Sequence, residues 1–263
     1  MPEGHSIHRI ARDMGRWFSG QKLTASSPQG RFAAGARRID GARLDLADAH
    51  GKHLLLWFGE EALHIHLGLY GRTKGYALPS PEPRGAIRLR LEGSKRGWDL
   101  RGPTACELLD SCGVNALKRR LGPDPLRSDS SWEDLARSLA GRRKKIGAAL
   151  LDQSIVSGLG NIYRAELLHE LRLHPEMPAN SLSDTQLKLL WSTSVRWMQE
   201  GVRLNRIVTP SVEETGLPFR KMAPYSKLRV FRREKCRTCG GPIDIRMVAQ
   251  RKLYWCPKCQ SAT

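Results

Sequence analysis

The sequence predicts an α+β fold with more than one domain, and three observations support this prediction. One amphipathic helix and several strand-like segments fill the first half, helical periods dominate the second half, and two Cys-x-x-Cys pairs close the chain. At 263 residues the chain is long enough for two domains with separate cores. We therefore expect a helix on a β-sandwich or barrel, followed by helices and a cysteine-rich β-hairpin.

The first half begins with a helix. Between Glu3 and Phe18 apolar residues recur at helical spacing, which predicts one buried face, and Gly20 ends the helix. Strand-like segments follow at residues 44–49, 53–58, 62–67 and 85–92. The last segment alternates apolar and charged residues, so Arg90 is expected on an exposed face. His64 and His66 alternate on one strand, and we interpret them as structural.

The second half is separated from the first by Leu121-Gly-Pro-Asp-Pro-Leu126 and the polar residues that follow. Helical patterns then cover residues 132–139, 145–153, 154–171 and 183–202. Residues 203–227 are rich in proline, serine and basic residues, which predicts a mobile loop. The expected organisation is an N-terminal domain (1–121), a linker (122–131), a helical domain with the loop (132–227) and a C-terminal hairpin (228–263).

The C-terminal hairpin carries the most specific motif in the chain. Cys236 and Cys239 form one knuckle, Cys256 and Cys259 form another, and sixteen residues separate the two. This spacing is typical of a tetrahedral four-thiolate zinc site on a β-hairpin. Two disulfides or free cysteines are the alternatives, but paired knuckles favour zinc. With four protein ligands the ion is expected to be structural.

The charge of the chain predicts a polyanionic partner. Lys and Arg number 44 against 26 Asp and Glu, the formal net charge is +18, and the isoelectric point is about 10.2. Residues 220–235 hold seven basic residues next to the zinc motif, whereas the basic run at 142–145 taken alone is as easily a solvated face. Nucleic acid is favoured over a membrane because the sequence has no long apolar span and no lipidation signal.

The expected compartment is a reducing cytoplasm. No apolar segment of a secretory signal follows the first residues, and Cys106 and Cys112 are left over as free thiols. We expect a monomer associated with the nucleoid.

Several short motifs follow one another across nearly the whole chain: Pro2-Glu3, Gly51-Lys52, His66-Leu-Gly-Leu-Tyr-Gly71, Leu121-Gly-Pro-Asp-Pro-Leu126, Gly158-Leu-Gly-Asn-Ile-Tyr163 and Cys256-Pro-Lys-Cys-Gln260. In this order they resemble the formamidopyrimidine-DNA glycosylase and endonuclease VIII family of bifunctional DNA repair enzymes. The resemblance implies a catalytic β-sandwich, a helix–two-turn–helix bundle and a zinc-ribbon hairpin. It also implies damaged DNA as the partner, in double-stranded or single-stranded form.

The resemblance gives the N-terminus a chemical role. Removal of the initiator methionine is expected, which exposes Pro2 as a secondary amine that is partly neutral near pH 7. Pro2 then resembles the nucleophile that attacks C1′ of a damaged nucleoside, and Glu3 resembles the catalytic acid. Both residues are also favourable at the start of any helix, and this is the alternative interpretation.

Other site residues follow from the same resemblance. Lys52, Asn161 and Arg251 resemble a trio that binds the phosphates around the extruded nucleotide. Leu69 and Tyr70 resemble the turn that fills the gap left in the DNA stack. Arg101 lies where the 8-oxoguanine branch contacts the base opposite the lesion.

The chain also departs from the family pattern. His5-Ser6 replaces the usual second Pro-Glu pair, which leaves the role of that second glutamate in question. The segment Asp99-Leu-Arg101-Gly-Pro103 lacks the second arginine and the wedge phenylalanine of the 8-oxoguanine branch. Oxidised pyrimidines are therefore the expected substrates. Their excision is expected to be followed by β,δ-elimination at the abasic site. The long segment 203–227 favours the 8-oxoguanine branch instead, so that branch is the alternative substrate class. A non-catalytic DNA-binding protein is the other alternative, but such a protein would have no reason to keep Pro2 and Glu3.

Overall fold

The computed structural model describes residues 2–210, 216, 221 and 227–261. Contacts divide the chain into two compact units, Met1–Arg119 and Arg120–Thr263. The division lies within two residues of the boundary expected from the sequence at residue 121. The predicted mobile loop covers residues 203–227, and of these only 203–210, 216, 221 and 227 are among the described residues.

The first unit contains three helices and eight strands in the described residues. They are α1 (Gly4–Phe18), β1 (Thr24–Ser26), α2 (Ala33–Ile39), β2 (Leu46–His50), β3 (His53–Phe58), β4 (Glu61–His66), β5 (Arg72–Ala77), β6 (Ile87–Glu92), β7 (Arg96–Arg101), β8 (Ala105–Leu109) and α3 (Ser111–Arg119). The predicted first helix and the strands at 53–58 and 62–67 are confirmed, the latter within one residue. Six elements were not predicted, because β1, α2, β5, β7, β8 and α3 lack a clear apolar period.

Two four-stranded antiparallel sheets, ordered β1-β6-β7-β5 and β2-β3-β4-β8, form a sandwich in this unit. Their inward side chains share one core with the buried face of α1, including Leu56, Ile65, Leu91 and Met14. Alternation along the strands places every second residue in this core, as with Leu54, Leu56 and Phe58 of β3. The predicted helix on a β-sandwich is therefore confirmed.

Arg90 corrects the sequence interpretation of β6. Its side chain was expected on an exposed face, yet the residue is 5% exposed. Asp99 on the neighbouring strand accepts from Arg90 Nε at 2.8 Å and from Nη2 at 3.1 Å. A buried charge is tolerated when it is paired and hydrogen-bonded, and the partner lies on another strand, so the alternation in sequence could not reveal it.

The second unit is mainly helical and ends in a hairpin. Its described elements are α4 (Trp132–Leu139), α5 (Ile146–Ala149), a 3₁₀ turn (Ala179–Ser181), α6 (Asn161–Glu170), α7 (Asp184–Leu204), β9 (Asp244–Val248) and β10 (Arg251–Trp255). Capping boxes at Ser131 and Ser183 begin α4 and α7, so both helices that the apolar pattern predicted also carry a local start signal. Helix α5 is shorter than the predicted segment 145–153.

The helices and the hairpin of the second unit share one core, which joins Leu135, Leu159 and Leu190 to Leu253 and Cys256. Residues 122–131, expected as a linker, pack onto this unit rather than crossing open solvent. Gly122 N donates to Gln153 O at 2.8 Å, and Ser157 N donates to Pro123 O at 2.9 Å. Among the described residues, no helix has the length and apolarity needed to cross a membrane.

Candidate functional site

Pro2 and Glu3 lie directly before α1. Pro2 is half-buried, whereas Glu3 has 0% exposure although its side chain ionises in water. Glu3 has the extended backbone of an N-cap residue, but within the described helix its side chain makes no capping hydrogen bond. Helix initiation alone therefore does not account for the burial of this carboxyl group.

His5 and Ser6, which replace the usual second Pro-Glu pair, lie in the first turn of α1. His5 is buried, and its Nε2 lies 3.1 Å from Ser6 Oγ. Burial lowers the pKa of His5 to about 4, and nearby positive charge adds to this effect. The His5 imidazole, two residues after Glu3, is therefore neutral at pH 7, and neither His5 nor Ser6 supplies the carboxylate that the usual second Pro-Glu pair contains.

Lys52 occupies the tip of a tight hairpin in the same unit. Gly51 has φ of 57°, a left-handed conformation that glycine adopts without strain, and His50 pairs with His53 on either side of the turn. Lys52 is half-buried at this tip. Its positive charge contributes to the lowered pKa of His66, after burial and the charge of His64.

The turn after β4 exposes two large side chains. Leu69 is 41% and Tyr70 is 86% exposed, although an aromatic ring of this size is usually mostly buried. Gly71 N donates to Leu67 O at 2.9 Å, and a Cβ on Gly71 would lie 2.2 Å from that oxygen. The chain thus requires glycine to make the turn that presents both side chains.

Arg101 ends β7 and is held by its neighbours. Its Nη2 lies 3.1 Å from Asp99 Oδ2 and 3.3 Å from Arg84 O. Burial opposes ionisation of Asp99, but hydrogen bonds from Arg90 and Tyr76 outweigh it, so the pKa of Asp99 is lowered. The carboxylate therefore keeps Arg101 in an ion-pair network at neutral pH.

Asn161 and the Arg251 hairpin are joined by hydrogen bonds in the second unit. Asn161, the first residue of α6, donates from Nδ2 to Lys252 O at 2.9 Å. The buried Arg164 donates to Asn161 Oδ1 and, from Nη1, to Val248 O at 3.2 Å. Arg251 itself is exposed and pairs with Val248 at the start of β10. The structure thus joins Asn161 to Lys252, the residue that follows Arg251 in β10.

Arg164 was missed in the sequence, and so was Glu166, two positions further along α6. Glu166 is fully buried and accepts from the N–H groups of Arg229, Val230 and Phe231 and from the hydroxyl of Thr209. Both residues were missed because the burial of nearly every position of α6 is visible only in the structure.

The four cysteines converge as predicted. Their sulfur atoms all lie within 4.8 Å of one another, with Cys236–Cys259 at 3.9 Å and Cys239–Cys256 at 3.5 Å. A tetrahedral ion with Zn–S bonds of about 2.3 Å requires sulfurs about 3.8 Å apart. The cluster therefore fits one structural zinc ion. Cys106 and Cys112 stay free thiols in the described chain.

A buried histidine supports the zinc cluster from α6. His169 Nε2 lies 3.2 Å from Cys236 Sγ, so an imidazole N–H can donate to the thiolate. The catalytic candidates Pro2, Glu3 and Lys52 and the exposed turn belong to the first unit, while Asn161, Arg251 and the zinc cluster belong to the second.

Comparisons with known proteins agree with this arrangement. Family models match at residues 1–106 (formamidopyrimidine-DNA glycosylase N-terminal domain), 121–212 (formamidopyrimidine-DNA glycosylase H2TH domain) and 233–262 (zinc finger found in FPG and IleRS). The chain is 42% identical to Endonuclease 8 1 of Mycobacterium bovis over 273 residues, which cover 99% of this chain and 100% of that protein. It is 32% identical to the formamidopyrimidine-DNA glycosylase of Heliobacterium modesticaldum, with 99% and 100% coverage. The crystal structure of Lactococcus lactis Fpg (MutM) with DNA containing N7-benzyl-Fapy-dG superposes with a TM-score of 0.81 at 25% identity, covering 99% of this chain and 100% of that one.

Proposed function

Since the chain belongs to the formamidopyrimidine-DNA glycosylase and endonuclease 8 family of base-excision repair enzymes, which are DNA glycosylases and abasic-site lyases, we propose that it removes oxidised pyrimidines with Pro2 as nucleophile. The observation that carries this proposal is the full burial of Glu3 beside Pro2, without a capping role within the described helix. A buried carboxyl group next to a secondary amine is the arrangement that acid–base chemistry at a sugar requires.

In the proposed reaction the nitrogen lone pair of Pro2 forms a bond to C1′, the bond from C1′ to the damaged base breaks, and the base leaves with the proton that the amine nitrogen gives up. Glu3 protonates the ring oxygen of the sugar as the ring opens. Because the amine is secondary, the product is an iminium that stays cationic without an additional proton. This cation accepts the electrons of the C2′–H bond, so loss of that proton expels the 3′ phosphate, and a second elimination expels the 5′ phosphate.

Lys52, Asn161 and Arg251 supply the phosphate contacts in this proposal. One N–H of the Asn161 amide donates to Lys252 O. The amide nitrogen carries a second N–H, which can donate to a phosphate oxygen. Arg251 is exposed on a hairpin that Asn161 and Arg164 hold in place. The net charge of +18 strengthens binding to any DNA through counterion release.

The proposed lesion preference depends on two parts of the first unit, the turn with Leu69 and Tyr70 and the segment around Arg101. Tyr70 and Leu69 are exposed enough to fill the space of an extruded base by stacking. Arg101 is occupied by Asp99, and the second arginine and the phenylalanine of the 8-oxoguanine branch are missing beside it. The relative at 42% identity is named an endonuclease 8, which supports the pyrimidine branch. We place the enzyme in the cytoplasm, on the chromosome.

Borohydride trapping tests the nucleophile. The enzyme is incubated with DNA that contains an abasic site, borohydride reduces any iminium, and the cross-linked peptide is mapped. We expect an adduct at Pro2, and a variant that retains the initiator methionine should form none. An adduct that maps to Lys52 or to another lysine would show that the assignment of the nucleophile is wrong.

A further inference from the structure

Arg164 is a fully buried arginine in α6 that joins three parts of the second unit. Its Nη1 donates to Gly147 O at 3.1 Å and to Val248 O at 3.2 Å, and its Nη2 donates to Asn161 Oδ1. These acceptors belong to α5, to β9 and to the first residue of α6. A guanidinium group carries several donors in one rigid plane, so it can serve separate fixed acceptors at once. Arg164 therefore ties the start of α6 to the hairpin.

The contacts of the Asn161 amide define which end of the amide faces which neighbour. Arg164 only donates hydrogen bonds, so the amide atom beside it must be the oxygen. The carbonyl of Lys252 only accepts, so the amide atom 2.9 Å from it must be the nitrogen. A flipped amide would place NH₂ against the guanidinium and oxygen against the carbonyl, and both hydrogen bonds would be lost. Two independent contacts thus fix one orientation of the Asn161 amide.

Arg164 also acts on the strand opposite Arg251. Val248 pairs with Arg251 in the register of β9 and β10, and the carbonyl of Val248 accepts from Arg164. The guanidinium therefore holds the Asn161 amide and the hairpin position beside Arg251 relative to one another. A binding group that is fixed in advance does not have to be ordered when the ligand binds, so less affinity is lost.

Packing alone does not explain an arginine at this position. A buried charge carries a desolvation cost that apolar side chains of similar volume avoid. Arg164 offsets that cost by hydrogen bonds, and two of its acceptors lie on the residues and strands that present the proposed phosphate contacts. The hydrogen bonds of Arg164 thus point to a role in the DNA-binding site and not only in the core.

We propose that Arg164 is a positioning residue for DNA binding: it orients the Asn161 amide and holds it in place beside Arg251, so that both side chains meet the phosphates as one preformed site. The proposal rests on the phosphate-contacting role proposed for Asn161. Because Arg164 is fully buried, its effect on DNA binding must pass through Asn161 and the hairpin.

A double-mutant cycle tests the proposal. Arg164→Met removes the donors and fills a similar volume, and Asn161→Ala removes the amide through which Arg164 acts. Dissociation constants of the single and double variants are measured for duplex DNA with a tetrahydrofuran abasic analogue, at a temperature where circular dichroism shows every variant folded. We expect Arg164→Met to weaken binding about tenfold in the wild-type background, the scale of one hydrogen bond to a charged group, and about threefold or less in the Asn161→Ala background.

Two further variants complete the test. Arg164→Lys keeps the buried positive charge, but the compact ammonium cannot serve Asn161 Oδ1 and Val248 O together, so it should show a smaller loss with the same dependence on Asn161. This variant carries the cycle if Arg164→Met does not fold. Arg203→Met removes an arginine from α7 of the same unit, where it pairs with Glu200, and it should bind DNA within about twofold of the wild type.

The outcomes separate this inference from the proposed function. Equal weakening by the Arg164 substitutions in both backgrounds would overturn the positioning role, and so would wild-type binding by both Arg164 variants. Wild-type binding by Asn161→Ala would overturn the phosphate contact and this inference with it. Weak binding by Asn161→Ala, combined with equal weakening in the two backgrounds, overturns the role of Arg164 alone.

Discussion

Replacement of Glu166 by glutamine should strongly destabilise the second unit. The carboxylate is fully buried in α6 and receives four donors among the described residues. Its Oε2 accepts from Arg229 N at 2.7 Å and from the hydroxyl of Thr209, and its Oε1 accepts from Val230 N and Phe231 N, both at 2.9 Å. The side chain thereby ties α6 to the segment that leads into the zinc cluster.

The magnitude follows from the number of donors that lose an acceptor. Glutamine offers one oxygen and one NH₂ group. If the NH₂ group takes the Oε2 position, the Thr209 hydroxyl can rotate to accept from it and Arg229 N is left without an acceptor; in the other orientation Val230 N and Phe231 N are left without one. A buried donor without an acceptor costs about 1–3 kcal/mol, and the remaining hydrogen bonds lose the strength that the carboxylate charge gives them. Glutamine is easier to bury than a carboxylate, so we expect about 2–4 kcal/mol. For a unit of this size that corresponds to a fall in melting temperature of about 10 °C.

Differential scanning calorimetry with parallel zinc analysis measures this effect. Glu200→Gln is the matched control, because Glu200 lies in α7 of the same unit and pairs with the exposed Arg203. We expect the control to change stability by less than about 1 kcal/mol. A melting temperature of Glu166→Gln within about 2 °C of the wild type, or equal to that of Glu200→Gln, would refute the reasoning.

Three further predictions concern catalysis and DNA binding. Glu3→Gln should slow base excision by at least about a hundredfold in single-turnover assays, with a smaller loss on DNA that already has an abasic site; wild-type excision would contradict its role as acid. Cys256→Ser should lose zinc and DNA binding together, whereas Arg251→Ala should keep one zinc per chain and show a shallower salt dependence of binding; fully active protein without zinc would contradict the structural role of the metal. Thymine glycol and 5-hydroxyuracil should be excised faster than 8-oxoguanine opposite cytosine, with weak dependence on the opposite base; the reverse order would assign the chain to the 8-oxoguanine branch.

Elements with a local signal could be predicted from the sequence, and the others could not. Helix α1 shows its apolar stripe, α4 and α7 begin at capping boxes, and the zinc ligands are fixed by their spacing. Strand β8 has a weak pattern, and it emerges from its pairing with β4. His64 illustrates the consequence: β8 delivers Glu107, 43 residues away in sequence, to within 2.9 Å of His64.

The sequence by itself determined the fold class, the family, the zinc site and the order of the site motifs. Each of these depends on residue types at short, fixed spacings or on the order of motifs along the chain. The tertiary structure decided which polar groups are buried and what they bind. Arg90 and Glu166 have partners on other elements, and a charge inside a protein is stable only where folding brings enough hydrogen-bonding groups around it. Such partners are set by strand pairing and helix packing over long separations, so no local pattern in the sequence records them.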